Sequence, residues 1–485
     1  MQSSGSRASR RNRARPSRWS APSASWIVFV ILVVATTLGG GSSKTFITSL
    51  LYVRPVAILC LGTLLVLPIR RDWRSLRWPA ILLAMFALWM CLQLVPLPPA
   101  VWATIPGRAP FLEADTAIGM AQPWRPLTLG IDLTLASLFT LVPAAATLVA
   151  YAGFTPDERA RTVPMVLAIV AASAVVALAQ VAGGENSVAY VYNPTSRDLP
   201  VGLLANRNHQ AALLAIGLPV LALWVRGQAA RMQHSRRGRQ IERVSLLYSL
   251  SSVTAVLFVL IALVSGSRAG LILCTGGLIA SALLFGGSIR ALSVRTRWTI
   301  IGGSLGALLI VLLLATAFGR ALVLDRLDTA GISSDQRFRA FPVLIELIRT
   351  YFPFGSGMGT FDPVFRMLEP DADLDRGFFN NAHNDLIELI ITGGLPALAL
   401  LAGFAAWLVA QLVAAIRSRG AIDAATVRGW IGLVVIALLL AASLFDYPLR
   451  TPLLSMIFTL ACCWASAFGD TRHTGGRGIA SAGPV

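Results

Sequence analysis

Runs of roughly 20 mostly apolar residues, the length a helix needs to cross the hydrocarbon layer of a bilayer, recur along the whole chain. They fall near 26–42, 50–69, 79–96, 131–152, 163–182, 208–225, 246–264, 269–287, 299–318, 387–413, 430–445 and 453–468, about twelve in all. A water-soluble domain could not hide so much apolar surface. Of the 485 residues 55% are hydrophobic and 13% charged, against about 25% charged in ordinary soluble domains. Disorder requires low hydrophobicity and is excluded on the same ground. In lipid every backbone polar group must be satisfied within its own segment. The expected class is therefore an all-α polytopic membrane protein.

The formal charge of +18 resembles a nucleic-acid footprint until the positions are read. With the amino terminus inside, 26 of the 41 Lys+Arg residues fall in cytoplasmic segments, including 70–74, 226–243, 290–297 and 417–428, and 7 in one long outer loop. This is the positive-inside bias of a membrane protein. No basic stripe is interleaved with aromatics as single-strand binding needs, so no nucleic-acid partner is expected. Cys60, Cys91, Cys274, Cys462 and Cys463 lie in or beside apolar runs and read as small core residues with no disulfide framework.

The expected organisation is a basic, disordered cytoplasmic tail over 1–25, helices 1–9 over 26–318, a large periplasmic loop over 319–386, helices 10–12 over 387–468 and a cytoplasmic tail over 469–485. The apolar run after the Arg-rich start reads as an anchor, since no small-residue cleavage site follows it. The second run is interrupted by Arg54-Pro55. The loop over 319–386 is too long for a bare connector. Within it Phe341, Leu344, Ile345 and Ile348 keep helical spacing up to Tyr351-Phe352-Pro353, which predicts an amphipathic helix lying on the membrane or capping a cavity.

Histidine is scarce, at His209, His234, His383 and His473, and no two have the close spacing of a zinc pair, so no metal or other cofactor is expected. His383, in Asn380-Asn381-Ala382-His383-Asn384-Asp385, is the best general-base candidate, because imidazole titrates near neutral pH and a helix-entry position exposes its ring to a cavity. Asp385 and Glu388 are expected to orient that ring or share in proton transfer. Arg268, in Ser265-Gly266-Ser267-Arg268, sits between two apolar runs, where an ionisable residue marks function, and guanidinium favours phosphate. Arg207, Arg337, Arg339 and Arg450 lie in outer segments and together could receive a pyrophosphate. Gly355-Ser356-Gly357-Met358-Gly359 reads as a flexible turn, since no strand precedes it and no Lys-Ser/Thr follows. Asp371-Ala372-Asp373-Leu374-Asp375 fails the calcium-loop pattern, with Arg376 and Ala382 where Gly and Glu are needed, and reads as a solvated turn.

Four blocks resemble the O-antigen ligase/polymerase superfamily: Leu203-Leu204-Ala205-Asn206-Arg207-Asn208-His209; Ser265-Gly266-Ser267-Arg268; Arg337 through Gly355–Phe361 and Ala382–Leu389 to Gly393-Gly394-Leu395-Pro396; and Phe445-Asp446-Tyr447-Pro448-Leu449-Arg450. The resemblance implies a GT-C-like fold in the bacterial inner membrane with its site facing the periplasm. It implies an inverting, metal-independent transfer of a glycan from undecaprenyl pyrophosphate to an acceptor hydroxyl, that of lipid A–core in a ligase or of another lipid-linked repeat in an O-antigen or exopolysaccharide polymerase. His383 would then activate the acceptor and Arg268 hold pyrophosphate, with Arg337 in a further arginine position. Arg207 departs from the many members with an uncharged residue between the two asparagines. A polysaccharide transporter is the competing class, but transporters usually show two matching halves, and the large loop falls in one half only.

Overall fold

The computed structural model describes residues 22–44, 46–192, 199–233, 240–290, 339–371, 379–418 and 424–469, with a few isolated positions besides. It is mostly helical. Eleven of the expected runs appear as helices: Ala24–Gly39 (α1), Leu50–Val66 (α2), Arg77–Gln93 (α3), Ile131–Ala152 (α6), Pro156–Gly183 (α7), Arg207–Gln233 (α8), Gln240–Val264 (α9), Arg268–Arg290 (α10), Asp385–Arg417 (α13), Ala424–Ser443 (α14) and Pro452–Ala465 (α15). The run at 299–318 lies outside the described residues. Among the described residues six helices are long and apolar enough to cross a membrane (α6, α7, α8, α9, α13, α14), and five more are apolar but shorter. Pro55 does not interrupt α2, which runs through it from Leu50 to Val66.

The segment between α3 and α6 carries Pro99–Trp102 (α4), Ala109–Ala117 (α5) and a two-residue antiparallel ribbon of Pro96–Leu97 (β1) with Arg125–Pro126 (β2). Arg108 is fully buried beneath it. Its guanidinium donates to the Leu127 carbonyl at 2.5 Å and lies between the Trp102 and Tyr351 rings, and burial pushes it down to about 10.

Helix α8 is the hub. In its apolar stretch 72% of residues are buried, against 17% for α9. Small residues permit this. A Cβ on Gly270 would come within 2.4 Å of Ala211 Cβ, and one on Gly277 within 2.7 Å of the Ala215 carbonyl, so α10 lies close along α8. That approach sets the start of α10, with Ser267 and Arg268, against the start of α8, with Asn208 and His209.

The 33 residues of α13 would span about 50 Å as a straight helix, beyond the ~30 Å hydrocarbon layer. The helix breaks at Gly394, at φ 61° and ψ −155°. The segment Gly355–Gly359 docks in this kink: Leu395 N–H donates to the Pro353 carbonyl at 2.7 Å, Ser356 N–H to Ile391 at 2.9 Å and Gly357 N–H to Thr392 at 3.0 Å. Ser356 is fully buried. Far from a loose turn, the segment is a packed wedge whose glycines take positive φ. Next to it Phe341–Tyr351 (α11), the expected amphipathic helix, and Phe361–Arg366 (α12) bury Leu344, Leu347, Phe361 and Phe365 in a second small core with Phe379, Ala382 and Ile391. The first part of α13, before Gly394, and the loop before it are thus held from both sides.

Candidate active site

His383 closes the loop that leads into α13. Asn384 caps the helix, its Oδ1 accepting from the N–H groups of Leu386 and Ile387 at 3.0 and 3.1 Å. The cap leaves His383 at φ 50°, alone among described non-glycine residues in positive φ. Non-glycine residues adopt this backbone uncommonly, and it marks a side chain whose direction the surroundings dictate. The ring lies between Phe379 (centroids 5.2 Å apart) and Tyr447 (5.0 Å), with 20% of the side chain exposed.

The carboxylate facing His383 is Asp446, in the connection from α14 to α15. Its Oδ1 stands 3.3 Å from His383 Nδ1. Asn206 Nδ2 and Asn208 Nδ2 donate to its Oδ2 at 3.1 and 2.7 Å, and the Tyr447 N–H donates to Oδ1 at 3.1 Å. The Ser267 hydroxyl donates to Asn208 Oδ1 at 2.8 Å and accepts from the Gly270 N–H at 2.9 Å, so α8, α10 and the α14–α15 connection meet on one carboxylate. Burial acts to raise the Asp446 carboxyl. The His383 and His209 rings and the Asn208 amide outweigh it and hold the group well below the usual carboxylate range. Burial, with Asp446 beside it, pushes the Tyr447 phenol up, so Tyr447 stays neutral. With Nδ1 turned to a carboxylate, the free nitrogen of His383 is Nε2.

Asp385 and Glu388 are placed differently from the expectation. Arg450 Nε donates to Asp385 Oδ1 at 3.1 Å, and Arg450 Nη1 pairs with Glu388 Oε1 at 2.6 Å. Glu388 Oε2 also accepts the Ala382 N–H at 2.9 Å. The two carboxylates brace the His383 loop through Arg450, and the carboxylate at His383 Nδ1 is Asp446. Arg450, expected among arginines that could receive pyrophosphate, is flanked by two carboxylates; burial alone would lower it, and they hold it above the ordinary arginine range. Arg207 is half-buried at the head of α8, and Arg268 is exposed at the head of α10. Arg337, the Asp371–Asp375 run beyond Asp371, His234 and His473 lie outside the described residues. Among the described residues no group of three His, Cys, Asp or Glu is arranged to hold a metal ion.

A cavity of about 850 Å³ opens beside this cluster. Asn380, Asn381, Asp385 and Arg450 form its wall on the His383 side, Lys44 and Arg54 contribute cations from the α1–α2 region, and Phe86, Met90, Leu133 and Leu401 make it apolar elsewhere. Asp446, Asn206, Asn208 and Tyr447 were not singled out from the sequence, although all four resemblance blocks contain them or their partners. The available signal was an ionisable residue, Asp446, set between two apolar runs.

A helical chain with six helices long and apolar enough to cross a membrane, and a His–Asp pair behind the Asn380–Asp385 wall of a cavity, belongs among integral membrane proteins. Residues 253–402 match the Wzy_C family model, described as O-antigen ligase, and the match supports the O-antigen ligase/polymerase superfamily. It covers Arg268, His383, Asp385 and Glu388, while His209 and Asp446 lie outside it and are brought in by the fold. No curated protein sequence matches the chain.

Proposed function

We propose that the protein is an O-antigen ligase-like glycosyltransferase of the bacterial inner membrane. It moves a glycan from undecaprenyl pyrophosphate to an acceptor hydroxyl, that of lipid A–core, at the periplasmic face. The observation that carries this reading is His383 at 3.3 Å from the ionised Asp446, beside a cavity with both cationic and apolar walls. An alcohol has a pKa far above neutral, so its attack needs a base on its proton. His383 Nε2 takes that proton, while Asp446 keeps Nδ1 protonated and stabilises the imidazolium that forms. The attacking oxygen displaces pyrophosphate from the anomeric carbon in one step, which inverts that centre. The charge growing on the leaving group is met by guanidinium from Arg268, with Arg207 and Arg337 in supporting positions, so no metal is needed. Asp385, which itself lines the cavity, and Glu388 set the Arg450 brace that forms part of the cavity wall.

The test supplies purified protein with a synthetic lipid-linked glycan and, in separate reactions, lipid A–core or no added acceptor. Glycan on lipid A–core supports the ligase. Chain growth on the lipid-linked glycan alone supports a polymerase using the same donor chemistry. Absence of undecaprenyl pyrophosphate release with either acceptor overturns the transferase reading.

A further inference from the structure

His209 is a buried titratable group beside the site to which the reaction above gives no task. It lies in the first turn of α8, 1% exposed, and neither ring nitrogen has a hydrogen-bond partner. Burying an unpaired polar group is costly, so an imidazole at this position calls for a reason. Its Nε2 stands 3.8 Å from Asp446 Oδ1, the same oxygen that faces His383 Nδ1 at 3.3 Å. Tyr447 touches both rings, edge-on to His209 at 5.3 Å and tilted on His383 at 5.0 Å. The titratable groups set against His209 are Asp446 and Tyr447 from the α14–α15 connection and His383 from the loop before α13, and Arg207 stands two residues before it on its own helix. The Arg450–Asp385–Glu388 group lies behind the His383 loop.

We infer that His209 is a positioning residue for His383: a neutral imidazole with its proton on Nε2, aimed at the Asp446 oxygen that the two histidines share. A neutral ring has one N–H, and Asp446 Oδ1 is the acceptor that Nε2 approaches. At 3.8 Å the contact is longer than a hydrogen bond, and it acts through the N–H dipole, which a buried setting screens weakly. The dipole offsets part of the carboxylate's charge. His383 therefore binds its proton less tightly than it would beside a bare Asp446, and it can release the proton after each transfer. The effect on turnover rests on the reading of His383 as the base. The electrostatic coupling does not, and it is measured without substrate.

The test uses the full-length protein in detergent. Diethyl pyrocarbonate acylates neutral imidazole, so its rate at the His383 peptide, followed by mass spectrometry against pH, gives the protonation midpoint. His209→Phe keeps the ring and removes the N–H, and should raise that midpoint by about one pH unit. His209→Gln keeps a donor at the Nε2 position and should stay near the wild-type value. An unchanged midpoint in His209→Phe overturns the inference, as does an equal shift in both variants. Should His209→Phe fail to fold, ¹⁵N-histidine spectra of the wild type decide, with the His209 signal assigned by its loss in His209→Gln: an Nε2–H neutral ring at pH 7 supports the inference, and an Nδ1–H ring or an imidazolium overturns it. In transfer assays at neutral pH His209→Phe should lower kcat, by up to about tenfold, with the donor KM unchanged. If the wild type transfers nothing, the transferase reading falls while the midpoint and tautomer measurements stand.

Discussion

Replacing Asp446 by Asn changes one oxygen to an amide nitrogen at nearly constant volume, so packing is kept and chemistry is not. Five groups point at the carboxylate: Asn206 Nδ2 at 3.1 Å, Asn208 Nδ2 at 2.7 Å, the Tyr447 N–H at 3.1 Å, His383 Nδ1 at 3.3 Å and His209 Nε2 at 3.8 Å. All five present nitrogens, and the side chain accepts at both oxygens. An Asn can accept at one end only. If its oxygen meets the two amides, its NH₂ faces the histidines, and His383 is driven to the tautomer that puts its proton on Nε2, where the base should be. If its oxygen meets the histidines, the NH₂ opposes two amide donors. In either orientation the anion that stabilises the His383 imidazolium is gone. Removing an orienting carboxylate from a catalytic histidine costs about 10²–10⁴ in rate, or about 3–5 kcal/mol of barrier. The lost hydrogen bonds also cost about 1–3 kcal/mol of stability, which lowers protein yield without lowering the activity of each folded molecule. Single-turnover glycan transfer, normalised to monodisperse folded protein, separates the two. A rate within threefold of wild type at unchanged melting temperature would refute the role given to Asp446.

His383→Ala should cut transfer per folded molecule by at least about two orders of magnitude with donor binding largely kept; normal specific activity at reduced protein level would instead mark a packing role. Arg268→Ala should abolish transfer while the protein still inserts, and Arg268→Lys should restore little because an ammonium cannot form the bidentate fork, so full activity in the Lys variant counts against that geometry. Gly394→Ala should lower the melting temperature by several degrees, because φ is 61° and the new Cβ would lie 2.2 Å from the Pro353 carbonyl; wild-type stability would show that the kink is not held by the Gly355 wedge. A cysteine at exposed Arg366, in a Cys91→Ser background, should react with a membrane-impermeant thiol reagent added to the periplasm, and protection there would reverse the topology.

The apolar helices were legible because their signal is local. A run of about 20 apolar residues needs no partner to be recognised, and the boundaries of α6 coincide with the expected 131–152. Periodicity likewise marked α11, where Leu344, Leu347 and Tyr351 turn inward. The behaviour of Gly355–Gly359 was not legible. Glycines in a sequence say that the backbone is permitted unusual angles, and they do not say whether it uses them to move or to pack. Here they pack, since a Cβ at Gly355 would meet the Thr392 carbonyl at 2.5 Å and one at Gly357 would meet Thr128 Oγ1 at 2.0 Å.

The site divides on the same line. His383 could be nominated because a lone histidine beside a helix cap is visible in a few residues of sequence. Its carboxylate could not be chosen by the same reasoning, because sequence proximity favoured Asp385 and Glu388, two and five positions on, over Asp446, 63 positions away. Helix geometry explains the error. The Asn384 cap turns the first turn of α13 away from the residue before it, and the carboxylates of that turn reach Arg450, four residues beyond Asp446 on the α14–α15 connection. The same connection therefore supplies a cation to the helix and an anion to the histidine, and Asn384 Nδ2 ties the two together by donating to the Leu444 carbonyl at 3.1 Å. An exchange of these two partners, with Arg450 at His383 and Asp446 at Glu388, would set cation against base and carboxylate against carboxylate. The order Asp446-Tyr447-Pro448-Leu449-Arg450 decides between the arrangements, and reading it required the fold that sets the α14–α15 connection against the loop before α13.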